Sequence, residues 1–334
     1  MATRWGICGA GRICNDFAVA LKTLPAEDHQ AVAVASRDSS RARDFAKQHQ
    51  IPKSYGSYEE LACDPNIDII YLGTINPQHL RVALLMLQAG KNVLCEKPMA
   101  MNLKEVQQIV RTARDNDLFL IEGLWTRFFP ASNAIRCLVS QNTVGEIKMV
   151  KAEFGTHMMG TPRLMEKELG GGVLLDIGCY CLQFVCMVFN GEEPGSVHAT
   201  GFLTEKGVDE AVTIVLKYSR KRMAVVTVSM AVQLPNQATI SGTKGTITIP
   251  GCMWCPTSLV VNGNVQEFPL PAPSQPINFT NSTGLRYEAE EVRQCLQKGL
   301  KESPQMPLAE SELIVSIMDE ARRQLGVVYH QDTA

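Results

Sequence analysis

Short apolar runs alternate with amphipathic stretches through the N-terminal part of the chain. Runs of strand length are separated by segments in which apolar residues recur at helical spacing. Strands are predicted over 5–8, 31–36, 67–72, 93–96 and 118–122, and helices over 13–24, 40–49, 57–63, 78–89 and 102–115. Strands that alternate with helices are typical of a parallel sheet covered by crossover helices. The pattern predicts a doubly wound α/β domain over residues 1–125.

The rest of the chain has a different pattern and is richer in strands. After a helix over 130–140, a strand over 146–154 and a helix within 172–189, apolar and polar residues alternate. This alternation predicts strands over 196–203, 210–218, 222–231, 238–249 and 259–268, and two amphipathic helices follow over 285–299 and 308–325. The short polar connections 219–221 and 262–264 indicate hairpins. We therefore expect an α+β domain over 126–334 with a large, mainly antiparallel open sheet.

Composition narrows the choice of partners. The 334 residues include 32 Lys and Arg against 34 Asp and Glu, a net charge of −2. Because this balance produces no long-range field toward nucleic acid or an anionic membrane, we expect a small-molecule partner and neither of those two. The N-terminus lacks the apolar core of a secretory signal, and we expect no apolar run to approach the roughly 18 residues of a bilayer span. A cytoplasmic protein is predicted.

Eleven cysteines are scattered through the chain, many of them in apolar segments. In such surroundings cysteine behaves as a small hydrophobe, so we predict that they are reduced and buried. Cys252 and Cys255 form a single C-x-x-C pair without a second pair or a nearby histidine, which is too little for a zinc site. No metal is predicted.

A glycine-rich turn follows the first predicted strand. Gly9-Ala10-Gly11-Arg12-Ile13-Cys14 joins it to the first helix, where glycines let backbone amides approach a pyrophosphate at the positive helix end. The third glycine of G-x-G-x-x-G is replaced by Cys14, which weakens the expected close packing of helix and strand, and a plain tight turn is the competing interpretation. The β-α-β context favours a Rossmann dinucleotide site with Gly9, Gly11, Arg12 and Ile13 at the cofactor.

The residues after the second predicted strand indicate which dinucleotide is bound. An NAD-selective site usually has an acidic residue here for the ribose hydroxyls, whereas this chain has Ser36-Arg37. Arg37 can pair with a 2′-phosphate, and Ser36 can donate another hydrogen bond. NADP is therefore predicted over NAD. A solvated loop arginine is the alternative, and Asp38 is unfavourable for a phosphate.

Candidate chemistry appears at the ends of two later strands. Glu96-Lys97-Pro98 ends one of them, and ligands gather beyond the carboxyl ends of strands in open α/β sheets. Pro98 biases Lys97 toward an extended backbone, which directs its ammonium. A surface lysine after a strand is the alternative. Tyr71 and Thr74, at the end of another strand, are candidates for lining the nicotinamide pocket.

A second cluster lies in the helical stretch after Gly170-Gly171-Gly172. Asp176 and Tyr180 are at i and i+4, which places them on one helix face, and Gly178 between them is costly in a helix unless something packs close. A phenol near an ammonium can accept the proton of a substrate hydroxyl, because the positive charge favours the phenolate.

These motifs occur together in one order: Gly9-x-Gly11, His79, Glu96-Lys97-Pro98 and Asp176-x-Gly178-x-Tyr180. In this combination the chain resembles the glucose-fructose oxidoreductase/inositol dehydrogenase/MocA family over nearly its whole length. The resemblance implies that Lys97 contacts the nicotinamide ribose and the substrate oxygen, that Tyr180 is the general acid/base, and that Asp176 orients the substrate hydroxyl. It also favours cofactor contacts for Glu96 and His79, although His79 could instead be a locally bonded helical residue.

A narrower resemblance rests on Ser36-Arg37, the segment 122–128 and the segment 174–180. It points to members of the family that use NADP and oxidise a trans-dihydrodiol or D-xylose. The implied reaction moves hydride from a secondary alcohol or an anomeric carbon to NADP+ while Tyr180 takes the hydroxyl proton. The product is a ketone that tautomerises to a catechol, or a lactone.

Four further residues, Trp125, Phe154, His157 and Phe279, are candidates for an aromatic wall around the diol or sugar, although each such residue more often lies in a core. The antiparallel sheet keeps one face after helices pack on the other, so a homodimer through that face is predicted.

Two other functions stay open. One is an oxidoreductase that keeps NADP permanently bound and cycles two sugars, which cofactor content after purification would separate. The other is a non-catalytic NADP(H) sensor. Lys97, Asp176 and Tyr180 argue against a sensor, which needs no proton acceptor.

Overall fold

The computed structural model of the protein describes residues 2–333, and its internal contacts divide the chain into two compact units. The first comprises Met1–Ala100, Lys104–Trp125 and Leu270–Leu308, and the second comprises Met101–Leu103, Thr126–Pro269 and Ala309–Ala334. The predicted boundary after residue 125 falls on a division between the units. The segment Leu270–Leu308, which the sequence assigned to the second domain, packs with the first.

The first unit is built on a six-stranded sheet in the order β3-β2-β1-β4-β5-β6, and every pair in it is parallel. Its strands are β1 Thr3–Cys8, β2 His29–Ala35, β3 Lys53–Tyr55, β4 Ile69–Leu72, β5 Asn92–Glu96 and β6 Leu120–Gly123. The central strands are buried on both faces, which explains why they appear in the sequence as continuous apolar runs. The sheet confirms the predicted Rossmann-like half.

Helices connect these strands: α1 Arg12–Leu21, α2 Ser39–His49, α3 Tyr58–Ala62, α4 His79–Gln88 and α5 Leu103–Asp115. Their starts follow from local chemistry. Ser57 and Glu60 form a capping box at the start of α3, as each side chain bonds the other's backbone amide. The predicted order of helices and strands is correct, with ends that differ by up to three residues.

The second unit carries an eight-stranded sheet in the order β14-β13-β12-β11-β7-β10-β9-β8. Its strands are β7 Ile147–Gly155, β8 Ser196–Leu203, β9 Asp209–Tyr218, β10 Arg222–Ser229, β11 Ala238–Gly242, β12 Gly245–Ile249, β13 Ser258–Val261 and β14 Asn264–Glu267. Only the β7 and β10 pair is parallel. The sheet is therefore mainly antiparallel, as predicted.

The remaining helices are α6 Pro130–Ser140, α7 Pro162–Met165, α8 Cys179–Val188, α9 Leu285–Gln297 and α10 Leu308–Leu325. Helix α8 packs on β7 and β10, and all ten of its residues are buried. A π-helical turn, Leu174–Gly178, leads into α8, where the sequence predicted one regular helix. Turns of this kind are frequently found at functional sites.

Two strand predictions need correction. The single strand expected over 238–249 is a hairpin of β11 and β12 that turns at Thr243 and Lys244. The apolar and polar alternation continues on both sides of the turn, which concealed it. Strand β3 was not predicted, because three residues with one aromatic give too short a pattern.

The prediction that all cysteines are buried is wrong at three positions. None of the eleven is in a disulfide, and all lie within the described residues. Cys63 and Cys137 are exposed, and Cys252 is partly exposed. Cys63 follows the last residue of α3, Cys252 lies in a turn, and Cys137 is in the last turn of α6.

The expectation that no apolar stretch approaches the length of a bilayer span is also wrong. The helical stretch Lys167–Val188 is long and apolar enough to cross a membrane by length and composition. It is buried throughout its most apolar window, as the core helix of a globular domain is, so this feature is weak evidence for a membrane span.

Candidate active site

The glycine turn after β1 leaves an open space at the start of α1. Gly9 has φ +120°, a backbone conformation that residues other than glycine rarely adopt. A Cβ added to Gly11 would meet no atom within 4 Å. Gly11 is the N-cap of α1 and no side chain caps the helix there. The first amides of α1 are therefore available to an anion, and the turn fits the pyrophosphate of a dinucleotide.

Cys14, at the place of the third glycine, is fully buried against the end of β4. Its Sγ lies 3.5 Å from the carbonyl oxygen of Gly73. A Cβ on Gly73 would lie 2.5 Å from that sulfur, which is closer than real Cβ contacts. Gly73 therefore provides the space that a glycine at position 14 would otherwise leave, and helix and strand still approach closely.

The single acid after β2 is held by the backbone. The Asp38 carboxylate caps α2 and accepts hydrogen bonds from Ser40 N at 2.9 Å and Ser40 Oγ at 2.6 Å. The bonds from Ser40 hold the pKa of Asp38 below its usual value. Because the helix amides engage this carboxylate, the acid that counted against NADP is oriented toward α2.

A second arginine of this segment contacts the glycine turn. Arg41, in the first turn of α2, donates from Nη2 to the carbonyl oxygen of Ala10 at 3.3 Å. Arg37 and Arg41 are both exposed, and Ser36 is buried. Sequence reasoning missed Arg41, although its place four residues after Arg37 and near a helix start was a usable signal.

The ends of β4 and β5 are joined by a buried hydrogen bond. The Tyr71 hydroxyl donates to Glu96 Oε1 at 2.5 Å, and Lys97 N donates to Glu96 Oε2 at 3.2 Å. The Tyr71 ring stacks on Phe17 of α1 with centroids 3.7 Å apart. Burial raises the pKa of both Tyr71 and Glu96. Glu96 thus fixes the backbone at Lys97, and Lys97–Pro98 is a cis peptide bond.

His79 holds two loops together from inside the unit. Its ring is fully buried, with Nε2 2.9 Å from the Thr74 carbonyl oxygen and Nδ1 2.9 Å from the Pro98 carbonyl oxygen. Burial lowers its pKa. Within the described residues, Thr74 Oγ1 and Asn76 Nδ2 are buried without a hydrogen-bond partner. Unpaired polar atoms in this loop are of the kind that a bound ligand satisfies.

Glu288 of α9 is a buried acid that sequence reasoning missed. The residue is fully buried, and neither carboxylate oxygen has a hydrogen-bond partner in the described part of the chain. Burial and the neighbouring Glu96 raise its pKa well above the usual value. Two carboxyls of one unit therefore share a desolvated environment, which favours the protonated, neutral form of Glu288.

The segment that returns to the first unit is anchored by a buried aspartate of α1. Asp16 accepts from Asn278 N and Phe279 N at 2.9 Å and from Ser282 Oγ at 2.7 Å. Phe279 lies over the guanidinium of Arg12 at 5.0 Å and is partly exposed. The predicted cofactor residue Arg12 and the predicted substrate residue Phe279 are thus neighbours beside the glycine turn.

In the second unit, Asp176 lies in the π-helical turn and Tyr180 in the first turn of α8. Both are buried, and Asp176 Oδ1 is ion-paired with Arg163 Nη2 at 2.8 Å. A Cβ on Gly178 would lie 2.7 Å from Leu174 Cδ1, which is the close packing that a glycine here requires. Arg163 was not predicted, because its pairing with Asp176 depends on how α7 folds back.

An aromatic pair lies beside Tyr180. The Phe154 ring is 6.0 Å from the Tyr180 ring, and Trp254 stacks on Phe154 at 3.8 Å with an interplanar angle of 5°. Trp254 was not predicted. His157, also predicted here, is exposed just after β7, and Trp125 is buried in the first unit. The roles of all four predicted aromatic-wall residues stay predictions.

The predicted site residues divide between the units. The cofactor candidates and Lys97 belong to the first unit, and Asp176, Tyr180, Phe154 and His157 belong to the second. Among residues 2–333 no group of three or more His, Cys, Asp or Glu side chains is placed to hold a metal ion.

Two family models match the chain. The model described as "Oxidoreductase family, NAD-binding Rossmann fold" matches residues 3–124, and the model described as "GFO/IDH/MocA C-terminal domain" matches residues 132–248. A curated protein from Danio rerio, trans-1,2-dihydrobenzene-1,2-diol dehydrogenase, is 61% identical over 333 residues, with 100% of both chains covered. These matches confirm the predicted family resemblance.

Solved structures share the fold at low identity. A levoglucosan dehydrogenase in complex with NADH and levoglucosan superimposes with a TM-score of 0.85 at 17% identity, covering 98% of each chain. A 3-ketoreductase from Actinomadura kijaniata in complex with NADP gives 0.79 at 21% identity, covering 97% of this chain and 98% of that one. The first unit is an NAD(P)-binding Rossmann domain, and the chain belongs to the glucose-fructose oxidoreductase/inositol dehydrogenase/MocA family of oxidoreductases.

Proposed function

We propose that the protein is an NADP-dependent dehydrogenase that oxidises a trans-dihydrodiol such as trans-1,2-dihydrobenzene-1,2-diol, and that it also accepts D-xylose at its anomeric carbon. The substrate class rests on the match along the whole chain to an enzyme of that name. The choice of NADP rests on the residues after β2, where the one nearby acid, Asp38, caps α2 and Arg37 and Arg41 are exposed.

The cofactor preference follows from charge. A 2′-phosphate carries nearly two negative charges, and guanidinium groups bind it through charge-assisted hydrogen bonds. A carboxylate directed at the same place would repel it. Asp38 does not act this way in the proposal, since its Oδ1 accepts from the two amides and the hydroxyl at the start of α2, which orients the carboxylate toward that helix.

The chain's residues then divide the work of the reaction. Asp176, held by Arg163, orients the substrate hydroxyl, and Tyr180 takes its proton. The cofactor, when bound, accepts hydride at its nicotinamide ring. Lys97, whose backbone amide donates to Glu96, contacts the nicotinamide ribose and the substrate oxygen in this proposal, as the family resemblance implies. The aromatic faces of Phe154 and Trp254 suit an unsaturated ring.

The test is an initial-rate assay of NADPH formation from NADP+ with trans-1,2-dihydrobenzene-1,2-diol and D-xylose in parallel, and with NAD+ as the control cofactor. We expect turnover that requires NADP+ and a higher kcat/KM for the diol. Equal rates with NAD+ would contradict the argument from Arg37 and Arg41. No turnover of either substrate by protein that binds NADPH would contradict the proposed substrate class.

We also propose that the protein works as a homodimer through the outward face of the eight-stranded sheet. On this face Phe202 of β8 is 76% exposed and pairs in register with Ala211, while Val215 and Val225 lie opposite each other on β9 and β10. An exposed apolar sheet face is a candidate for a protein partner. Sedimentation should give a dimer that Phe202→Glu weakens and Leu300→Glu, in the other unit, does not; a monomer at micromolar concentration would contradict it.

A further inference from the structure

Two cysteines lie at the ends of one tight turn in the second unit. Cys255 N donates to the carbonyl oxygen of Cys252 at 2.8 Å, with Met253 and Trp254 between them. A β-turn closed in this way brings the first and fourth Cα atoms within about 7 Å. Disulfides bridge Cα atoms that are roughly 4.4–6.8 Å apart. The turn therefore holds the two thiols at a separation from which a disulfide can close with little movement.

The turn is fixed by its surroundings. Met253 N donates to the Asn236 carbonyl oxygen at 3.1 Å, and the Thr126 hydroxyl donates to the Trp254 carbonyl oxygen. Met253 and Cys255 are fully buried. These contacts keep Cys252 and Cys255 facing each other, which a mobile loop would not do.

The two thiols differ in exposure and acidity. Cys252 is partly exposed, whereas Cys255 is buried. A hydrogen bond from the Cys255 thiol lowers the pKa of Cys252 to about 6 and outweighs the opposing effect of burial. Burial raises the pKa of other thiols of the chain, such as Cys181 and Cys295. Cys252 is thus a reachable thiolate near neutral pH, with a second thiol directly behind it.

We propose that Cys252 and Cys255 form a redox-active dithiol that a peroxide converts to an intramolecular disulfide. The Cys252 thiolate attacks one oxygen of hydrogen peroxide, the O–O bond breaks, and the products are a Cys252 sulfenic acid and hydroxide, which is protonated to water. The Cys255 sulfur then attacks the Cys252 sulfur, loses its proton, and expels the sulfenic oxygen as a second water. The two thiols are oxidised by two electrons, and one peroxide is reduced to two waters. An external dithiol reduces the disulfide back to the two thiols by exchange and is itself oxidised to a disulfide.

The disulfide acts on the aromatic pair beside Tyr180. Trp254 lies between the two cysteines, and its ring stacks on Phe154 at 3.8 Å. Closing a covalent ring across the turn needs only a small adjustment of the backbone, but this is the backbone that carries Trp254, so the adjustment reaches the stacked ring pair directly. This part of the proposal rests on the proposed function: oxidation raises KM for the dihydrodiol several-fold and leaves KM for NADP+ unchanged, because the cofactor residues lie in the first unit.

The chemical test uses the full chain, reduced, desalted and treated with equimolar hydrogen peroxide at neutral pH. Remaining thiols are blocked with N-ethylmaleimide, and peptides are weighed by mass spectrometry. We expect the peptide with both cysteines to lose the mass of two hydrogen atoms and to carry no label, while the exposed Cys63 and Cys137 stay labelled. Cys255→Ser should stop at a sulfenic acid on Cys252 that dimedone traps. Cys137→Ser, which removes an exposed thiol of α6, should give the wild-type yield of disulfide.

A second measurement does not depend on any oxidised product. The alkylation rate of Cys252 followed against pH should have its midpoint at about 6, and Cys255→Ala, which removes the hydrogen-bond donor, should move the midpoint upward. A midpoint at the ordinary value of a thiol, or oxidation of Cys63 or Cys137 before Cys252, would overturn the proposal. A wild-type protein that forms no disulfide under these conditions would do the same.

The steady-state assay of reduced and oxidised protein separates this inference from the proposed function. Disulfide formation in a protein without dehydrogenase activity would support the redox-active dithiol and contradict the proposed function. Diol oxidation by a protein that never forms the disulfide would support the proposed function and overturn the proposal of a redox-active dithiol. A disulfide that leaves KM for the diol unchanged would overturn the effect through Trp254.

Discussion

Replacing Asp16 with Asn should loosen the segment that returns to the first unit. The Asp16 carboxylate is buried and accepts from two backbone amides, Asn278 N and Phe279 N, from Ser282 Oγ and from Asn278 Nδ2. An Asn side chain has the same shape but only one acceptor oxygen. Its amide group would face N–H donors, which leaves at least one of them buried without a partner.

The magnitude follows from these contacts. A hydrogen bond to a charged group contributes about 1.5–3 kcal/mol, and a buried donor left unpaired costs about 1–3 kcal/mol. The loss of one to two such bonds predicts a destabilisation of about 3–5 kcal/mol. For a unit of this size, each kcal/mol lowers Tm by about 2–4 °C, so the expected shift is on the order of 10 °C.

The assay combines thermal unfolding with steady-state kinetics. Arg12 contacts Asn278 and lies under Phe279, so a loosened segment should also raise KM for the cofactor. Asp44→Asn, which changes an exposed carboxylate on α2, is the matched control and should leave both quantities unchanged. An Asp16→Asn protein with wild-type Tm and wild-type cofactor KM would show that this carboxylate does not anchor the segment.

Three further predictions concern the first unit. Gly73→Ala places a Cβ 2.5 Å from Cys14 Sγ and should lower the free energy of unfolding, measured by chemical denaturation, by about 1–3 kcal/mol. Adding Cys14→Ala to this variant should recover part of the loss, and no recovery would refute the packing argument. Glu288→Gln should stabilise: the folded carboxyl has a raised pKa, so the unfolded chain alone loses this proton above about pH 4.3 and native stability falls as pH rises. The gain in Tm should therefore grow from pH 4 to pH 8, while Glu27→Gln, an exposed control, shows no such trend. Arg37→Ala and Arg41→Ala should each raise KM for NADP+ roughly ten- to hundred-fold, as the loss of a charge-assisted bond implies, and Arg43→Ala should not.

Most of the fold could be predicted from local sequence patterns. The parallel half was predictable because each strand is a buried apolar run between helices with ordinary starts and ends, and β4 and β5 are examples. The hairpin of β11 and β12 was read as one strand because apolar and polar residues alternate on both sides of its turn, although Gly242 and Gly245 next to the turn were a usable signal. The sequence places the segment 270–308 in the second domain by position, whereas its contacts are with the first unit, where it is anchored by hydrogen bonds to Asp16, more than 200 positions away in the sequence.

The residues of the candidate site also fall into a predictable and an unpredictable group. The motif residues Gly9, Lys97, Asp176 and Tyr180 could be singled out from the sequence by residue type and spacing. Three other residues could not be predicted, because each matters only through a partner that folding brings close. The pairs are Arg163 with Asp176, Trp254 with Phe154, and Glu288 with Glu96. Asp38 likewise has a role that only the fold shows. It looks like an acid that competes with a phosphate, and in the structure it caps α2.

The most direct test of the central claim is the rate of diol oxidation by Tyr180→Phe at saturating NADP+. General acid–base groups contribute about 10²–10⁴-fold, so kcat should fall by that factor while the Kd for NADPH, measured by nucleotide fluorescence, stays at the wild-type value. Tyr218→Phe removes a buried hydroxyl of β9 that has no hydrogen-bond partner in the described chain, and it should retain wild-type kcat. A Tyr180→Phe protein with wild-type turnover would contradict the account, because the hydroxyl proton would then leave by a route that does not involve this residue.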